Sequence, residues 1–306
     1  MIRSYILVSR KAWHYSTQAY EARPEERKKI KRHLRWAALA ILREASVQGW
    51  FAFLDEPVVR PFVAASPRLA FRPMGTYMSR RWDWAKRFKV IRDTYIFVNA
   101  KGGAFQQAML REEGLLLARI PLEKAGTLRL LMRADPQFRK EGEIGVFLEL
   151  EGIPGAISSF AYSLEHQAAG WCCYLGALQG RKGGDEETIK LATKAMHGLR
   201  PKALMVFVAQ EITRSLRVAS LLGVGNGIHV ARGRLLGPGK KILFDYDELW
   251  RESSGVRRED GWYQLPIKAP RRTAEDIKPN KRSMYTKRYQ FLDDLSRQIR
   301  TVLTSS

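Results

Sequence analysis

The sequence predicts an α+β fold: a mainly antiparallel central sheet with packed helices, preceded by a helical and irregular N-terminal part. Three observations predict it. Short apolar segments at residues 127–133, 143–151, 156–165 and 170–178 follow one another across Gly, Pro or polar turns, the spacing of an antiparallel meander. Segments with apolar residues every three or four positions lie before and after them, the pattern of amphipathic helices. The chain has 306 residues, 45% of them hydrophobic, enough for one large core or two modest ones.

Taken in order, the apolar run Tyr5-Ile6-Leu7-Val8 stops at Ser9-Arg10-Lys11, too brief for a secretory signal or a membrane span. The chain therefore reads as cytoplasmic. Residues 27–45 place Ile30, Leu34, Ala38 and Ile41 at helical spacing among Lys28, Lys31, Arg32 and Arg35. The expectation is a core-packed helix with a solvated basic face; the alternative is a helix lying on a membrane surface. Gly49 is a stop, Trp50-Phe51-Ala52-Phe53-Leu54 is expected to be buried, and Pro57, Pro61, Pro67 and Pro73 mark an irregular connection. Residues 80–88 interleave cations with aromatics, a pattern that can stack bases or sit at a lipid interface, although Trp84 and Phe88 at helical spacing read as core. Composition divides the chain near residue 125. Residues 1–125 form a basic, aromatic-rich, mainly helical region, and residues 126–306 form an α+β domain with a basic C-terminal helix.

After the meander comes the most informative stretch. An apolar strand ends in Gln179-Gly180-Arg181-Lys182-Gly183-Gly184, and a helix follows at once, with Asp185 as N-cap and Glu186 and Glu187 in its first turn. A helix N-terminus exposes unpaired N–H groups at the positive end of its dipole. Glycines admit a phosphate to the backbone, and Arg or Lys adds charge, so these six residues are a candidate phosphate seat. Ile189, Ala192, Ala195 and Met196 form the apolar face of that helix. Gly198 ends it, and Pro201 starts another carrying Leu204, Val208 and Ile212. Segments 219–224 and 228–235 flank Gly225-Asn226-Gly227, which reads as a hairpin turn. Asp245 and Asp247 alternate with Phe244 and Tyr246, so on a strand both carboxylates share a face. Residues 281–289 are basic and open a final helix through Val302.

The formal charge of +22 creates a field that attracts phosphates, acidic polymers or anionic lipid. No zinc-finger spacing, RNP-type motif or GXXG clamp accompanies it. The two cysteines, Cys172 and Cys173, are adjacent and on a strand point to opposite faces, so they read as buried small hydrophobes and not as a disulfide or metal pair. Among the titratable residues, His229 follows the Asn-Gly turn and is the first candidate for a general base, with Asn226 beside it to orient an acceptor. Glu149, Glu165 and Glu211 lie in apolar patterns, where burial can raise a carboxyl pKa enough for base chemistry. No metal-ligand set, nucleophile elbow or Walker A motif is present.

Several segments resemble the VirK/YbjX family of bacterial proteins: Leu178-Gln179-Gly180, Ala192-Thr193-Lys194, Gly198-Leu199-Arg200-Pro201-Lys202, Asn226 with His229-Val230, Asp245-Tyr246-Asp247 with Trp250, Leu265-Pro266, and Lys281-Arg282-Ser283 with Arg288-Tyr289. Near residue 93 the family pattern carries a His-Tyr pair where this chain has Arg92-Asp93-Thr94-Tyr95. The resemblance implies bacterial origin and a link to envelope integrity, virulence or antimicrobial-peptide resistance. The C-terminal half is also similar to GNAT-type acyltransferases, in which antiparallel strands lead into a loop and helix that hold the pyrophosphate of acyl coenzyme A. That likeness implies an acyl thioester of coenzyme A or a carrier protein as donor, and an amine of a peptide, metabolite or envelope precursor as acceptor. The alternative is a non-enzymatic basic adaptor on anionic membrane or RNA, cytoplasmic and peripheral to the inner membrane.

Overall fold

A computed structural model describes residues 2–20, 30, 33–34, 36–38, 41–123, 125–181, 186–231, 245–268, 270–273 and 275–305. Helix α1 (Ile2–Tyr20) is followed by α2 (Glu44–Leu54), α3 (Arg60–Ala65), α4 (Trp84–Lys101) and α5 (Gly103–Leu110). Strands β1 (Leu115–Leu122), β2 (Gly126–Arg133), β3 (Ile144–Leu150), β4 (Ala156–Gln167) and β5 (Gly170–Gly180) come next. Then follow α6 (Glu186–Ala195), α7 (Pro201–Ser215), β6 (Ser220–Val224), α8 (Tyr246–Glu252), β7 (Val256–Arg257), β8 (Trp262–Leu265) and α9 (Arg282–Thr304). The strands make one sheet in the order β1-β2-β3-β4-β5-β6-β8-β7. The first five form an antiparallel meander, the four expected strands with β1 added at the edge. β6 then runs parallel to β5, a pairing that needs a crossover, and α6 with α7 supplies it.

The central strands β3, β4 and β5 are buried along nearly their whole length, because helices cover both faces. Alternation along the strands sorts the two sides. Cys173 faces Thr213 of α7, whereas Glu165 on β4 reaches Lys86 of α4. Both cysteines are buried and free. The main core runs from Val8 in α1 to Leu303 in α9. The compositional boundary at residue 125 falls inside the β1–β2 hairpin, where Leu122 pairs with Gly126.

Two strands outrun their partners, and side chains satisfy the bare edges. β3 stops opposite Tyr162, so past that point β4 has no neighbour on one side. There the Thr94 hydroxyl accepts from the Leu164 N–H (2.8 Å) while donating to the Val90 carbonyl of its own helix (2.7 Å), and Asp93 accepts from the His166 N–H. Asp93 and Thr94 thus cap the bare edge of β4.

Gly49 is not a helix stop but lies inside α2, and two further expectations change. The predicted hairpin 219–224/228–235 does not form, since β6 pairs antiparallel with β8 instead. The chain after the Asn226-Gly227 turn meets Ser79 in a single bridge, with hydrogen bonds between residues 78–80 and 228–230; residues 232–235 lie outside the described set. Asp245 and Asp247 are not on a strand. Asp245 N-caps α8 by accepting from the Glu248 N–H (3.0 Å), and Asp247 lies in the first turn.

Candidate functional site

The parallel pairing of β5 with β6 covers Cys172–Leu175 and Ser220–Gly223 and then stops. The next residue, Gly176, is a β-bulge in the β4 pairing, where the register jumps between Ala161 and Tyr162. Beyond it β5 continues to Gly180 with no described residue paired on the β6 side, so the sheet splays. Gly176 is required here: a Cβ would lie 1.9 Å from the Glu141 carbonyl oxygen.

Two side chains fill the splay. His229 Nε2 lies 3.0 Å from the Gly176 carbonyl, and its Nδ1 lies 3.1 Å from the Ala231 N–H. Nε2 therefore donates and Nδ1 accepts, which fixes the tautomer. Tyr246, from the start of α8, stacks on the imidazole at 4.9 Å and accepts from the Leu178 N–H at 3.4 Å. Burial lowers the His229 pKa to about 4, so the ring is neutral at physiological pH. Glu141 closes the group, with Oε1 3.9 Å from His229 Nε2 and Oε2 accepting from Gln179 Nε2 at 3.3 Å. Asn226 stands behind them. Its amide oxygen accepts from the Tyr246 N–H, its NH2 donates to Asp245, and its own N–H donates to Asp247. Asn226 thus pins α8, and with it Tyr246, to the end of β6.

At the end of β5 lies a cleft of about 680 Å³ lined by Ile157, Gly180, Ile189 and Pro201 among five cations: Arg181, Lys190, Lys194, Arg200 and Lys202. Among the described residues no carboxylate lines it, although Glu186 pairs with Lys190 at the exposed edge. Arg181 is anchored by a bond to the Pro154 carbonyl (2.8 Å). Lys202 passes so close to Gly180 that a Cβ there would lie 3.1 Å from its Cε, and desolvation holds its ammonium pKa below the ordinary lysine range. The first turn of α7 opens here too: Pro201 occupies N1 and the Arg200 side chain makes no cap.

Of the residues expected at the site, Gly180 and Arg181 line the cleft, Gln179 joins the His229 group through Glu141, and Asn226 joins it through Tyr246; neither His229 nor Asn226 lines the cleft. Lys182, Gly183, Gly184 and the expected cap Asp185 lie outside the described residues. The three candidate glutamates are elsewhere. Glu165 sits between Lys86, Tyr174 and Gln167; burial pushes its carboxyl up, but these hydrogen bonds and the Lys86 charge outweigh it and hold the pKa below the usual range. That is the reverse of the raised carboxyl a buried base requires. Glu211 is paired with Arg214 and Ser296 where α7 meets α9, and Glu149 lies 3.6 Å from Arg133 and 4.0 Å from Arg129 on the sheet. Glu141, Tyr246, Arg200 and Lys202 are the contributors that sequence reasoning missed. For Tyr246 a signal existed, since Asp245 three residues before Glu248 is a helix-start pattern.

A protein-family model described as "Protein of unknown function (DUF535)" matches residues 25–301. The chain is 28% identical to the uncharacterized protein YbjX of Escherichia coli (strain K12), over 86% of this chain and 80% of that one. Two uncharacterized proteins of Haemophilus influenzae are 29% and 27% identical, over 73% and 94% of this chain and 74% and 94% of theirs. No solved structure matches.

Proposed function

The chain belongs to the DUF535 family, and from that premise we propose that it is an acyltransferase-like enzyme, which moves an acyl group from a coenzyme A or carrier-protein thioester to an amine. The observation that carries the reading is the cationic cleft at the splayed end of β5. Five cations, with no carboxylate among the described lining residues, suit a pyrophosphate, the apolar wall of Ile157, Ile189 and Pro201 suits the thioester's organic part, and the open first turn of α7 adds N–H donors. The order of elements supports it as well: an antiparallel meander leads to a helix and then to a strand parallel to β5, as in the GNAT-type enzymes, with α7 as a second helix added to that pattern.

In this reading the amine nitrogen attacks the thioester carbon, the C–S bond breaks, and the departing thiolate takes up a proton while the amine loses one. We place the proton acceptor at Glu141. His229 holds a neutral ring whose Nδ1 lone pair already receives the Ala231 N–H, so we assign it to positioning the bulge and Glu141. Asn226 acts through Tyr246. The acceptor belongs to a peptide, metabolite or envelope precursor.

Coenzyme A and its acyl derivatives are expected to raise the melting temperature, because a ligand that binds only the native state stabilises it, by about 2.7 kcal/mol at a hundred times Kd. Arg181→Ala with Lys202→Ala should remove most of that shift without lowering the unliganded melting point by a similar amount. Unchanged melting with acetyl, medium-chain and long-chain thioesters alike would overturn the proposal.

A further inference from the structure

The helical periodicity of residues 27–45 predicts that Ile30, Leu34, Ala38 and Ile41 pack on the core, and the structure turns them the other way. Ile30 is 53% exposed, Leu34 60% and Leu42 76%, and Ala38 and Ile41 are exposed with them. The inward contacts come from different positions: Trp36 stacks on Phe71 at 4.8 Å, and the buried His33 stacks on Trp13 at 4.7 Å. That second contact joins the stretch to α1, which buries Val8, Ala12, Tyr15 and Ala19 and leaves Ile6, Leu7 and Trp13 outside. Eight of the twelve large apolar side chains exposed among the described residues fall within the first 58 positions. Single exposed apolar residues are ordinary, but a run of them at helical spacing, contacting a second helix with the same habit, is not.

Charge identifies the partner. In sequence the exposed apolar residues are interleaved with Lys28, Lys29, Lys31, Arg32 and Arg35, and the described cations Arg10 and Arg43 are exposed beside them. No helix among the described residues is long and apolar enough to cross a membrane. An apolar stripe whose residues alternate in sequence with cations fits the boundary between acidic headgroups and acyl chains, where apolar side chains enter the chains and basic ones stay with the phosphates. Where the stretch joins α2 there is a groove of about 430 Å³, with Ala45, Gly49, Ala85 and Phe88 at its apolar part and Lys89 and Arg92 at its charged part. Its chemistry continues the stripe's. We propose that the N-terminal face formed by α1 with Ile30, Leu34, Ala38, Ile41 and Leu42 docks the protein on an anionic lipid surface, independently of the cleft at β5.

The test uses the full chain and flotation with phosphatidylcholine vesicles, with and without phosphatidylglycerol. Binding is expected only to the anionic vesicles, weakening with salt but persisting in part because the apolar contacts are not screened. Ile30→Ser, Leu34→Ser and Ile41→Ser together should reduce partitioning roughly tenfold or more, since each removes apolar area from the lipid contact. These side chains are exposed, so melting should stay put; Val256→Ser, more exposed still and on β7, should change nothing. Wild-type tryptophan emission should shift to the blue on vesicle addition, and less so in Trp13→Phe. Vesicle binding unaffected by the triple change, binding lost entirely to salt, or a wild-type dimer that the triple change dissociates would each overturn the proposal. So would an RNA affinity that the same three substitutions abolish while vesicles are ignored.

Discussion

Gly176→Ala is expected to destabilise the protein by about 3 kcal/mol or more, the upper end of what overpacking costs. The new Cβ would lie 1.9 Å from the Glu141 carbonyl oxygen, 2.8 Å from its carbonyl carbon and 2.8 Å from Met78 Cε. Two of these atoms are backbone, on a segment fixed by the Lys140 carbonyl receiving the Met78 N–H, so neither can swing aside. Relief requires the bulge itself to move. Since the Gly176 carbonyl is the partner of His229 Nε2 and Glu141 is the crowding residue, binding in the cleft and folding should suffer together. Urea titration gives the cost. A variant of wild-type stability would mean that the bulge can be rebuilt cheaply and that the splay of β5 from β6 does not depend on it.

Protonation of His229 gives the second large effect, of about 3 kcal/mol for a shift from 6.5 to about 4. Below pH 6.5 the unfolded chain gains a proton that the folded ring refuses, so the stabilisation is complete above 6.5 and is lost progressively as pH falls toward 4. The Glu165 carboxylate is held low by its partners, and it loses its contribution only as pH falls below the ordinary value of 4.5, so the two windows barely overlap. Wild-type stability should therefore drop across the upper window, and His229→Gln should flatten that drop while being less stable than wild type at neutral pH. Equal slopes in both proteins would remove His229 from the buried splay.

The meander was legible because its strands are apolar runs punctuated by Gly or polar turns, and each appears within two residues of its expected start. The α6–α7 crossover was legible from Gly198 and Pro201, which fix where one helix stops and the next begins; both His197 and Gly198 adopt positive φ. β1 escaped notice: Leu115-Leu116-Leu117-Ala118 lacks alternation, and Pro121 argues against a strand except at a sheet edge, which is where β1 lies. The apolar stripe of residues 30–41 had the right period but the wrong destination, since periodicity states that a face is apolar and not what covers it. The candidate site was half legible. Gln179, Gly180 and Arg181 announce themselves locally, whereas Glu141 reaches His229 only because β5 bulges at Gly176, and no sequence spacing encodes that meeting.

The cleft at the end of β5 is tested most directly by hydrogen–deuterium exchange with and without a non-hydrolysable acyl coenzyme A analogue. Amides at residues 179–181, in α6 and in the first turn of α7 should exchange more slowly with the ligand bound, because they surround the proposed pyrophosphate. Arg181→Ala with Lys202→Ala should abolish that protection. Protection confined to other parts of the chain, or none at saturating ligand, would contradict the acyl-thioester site.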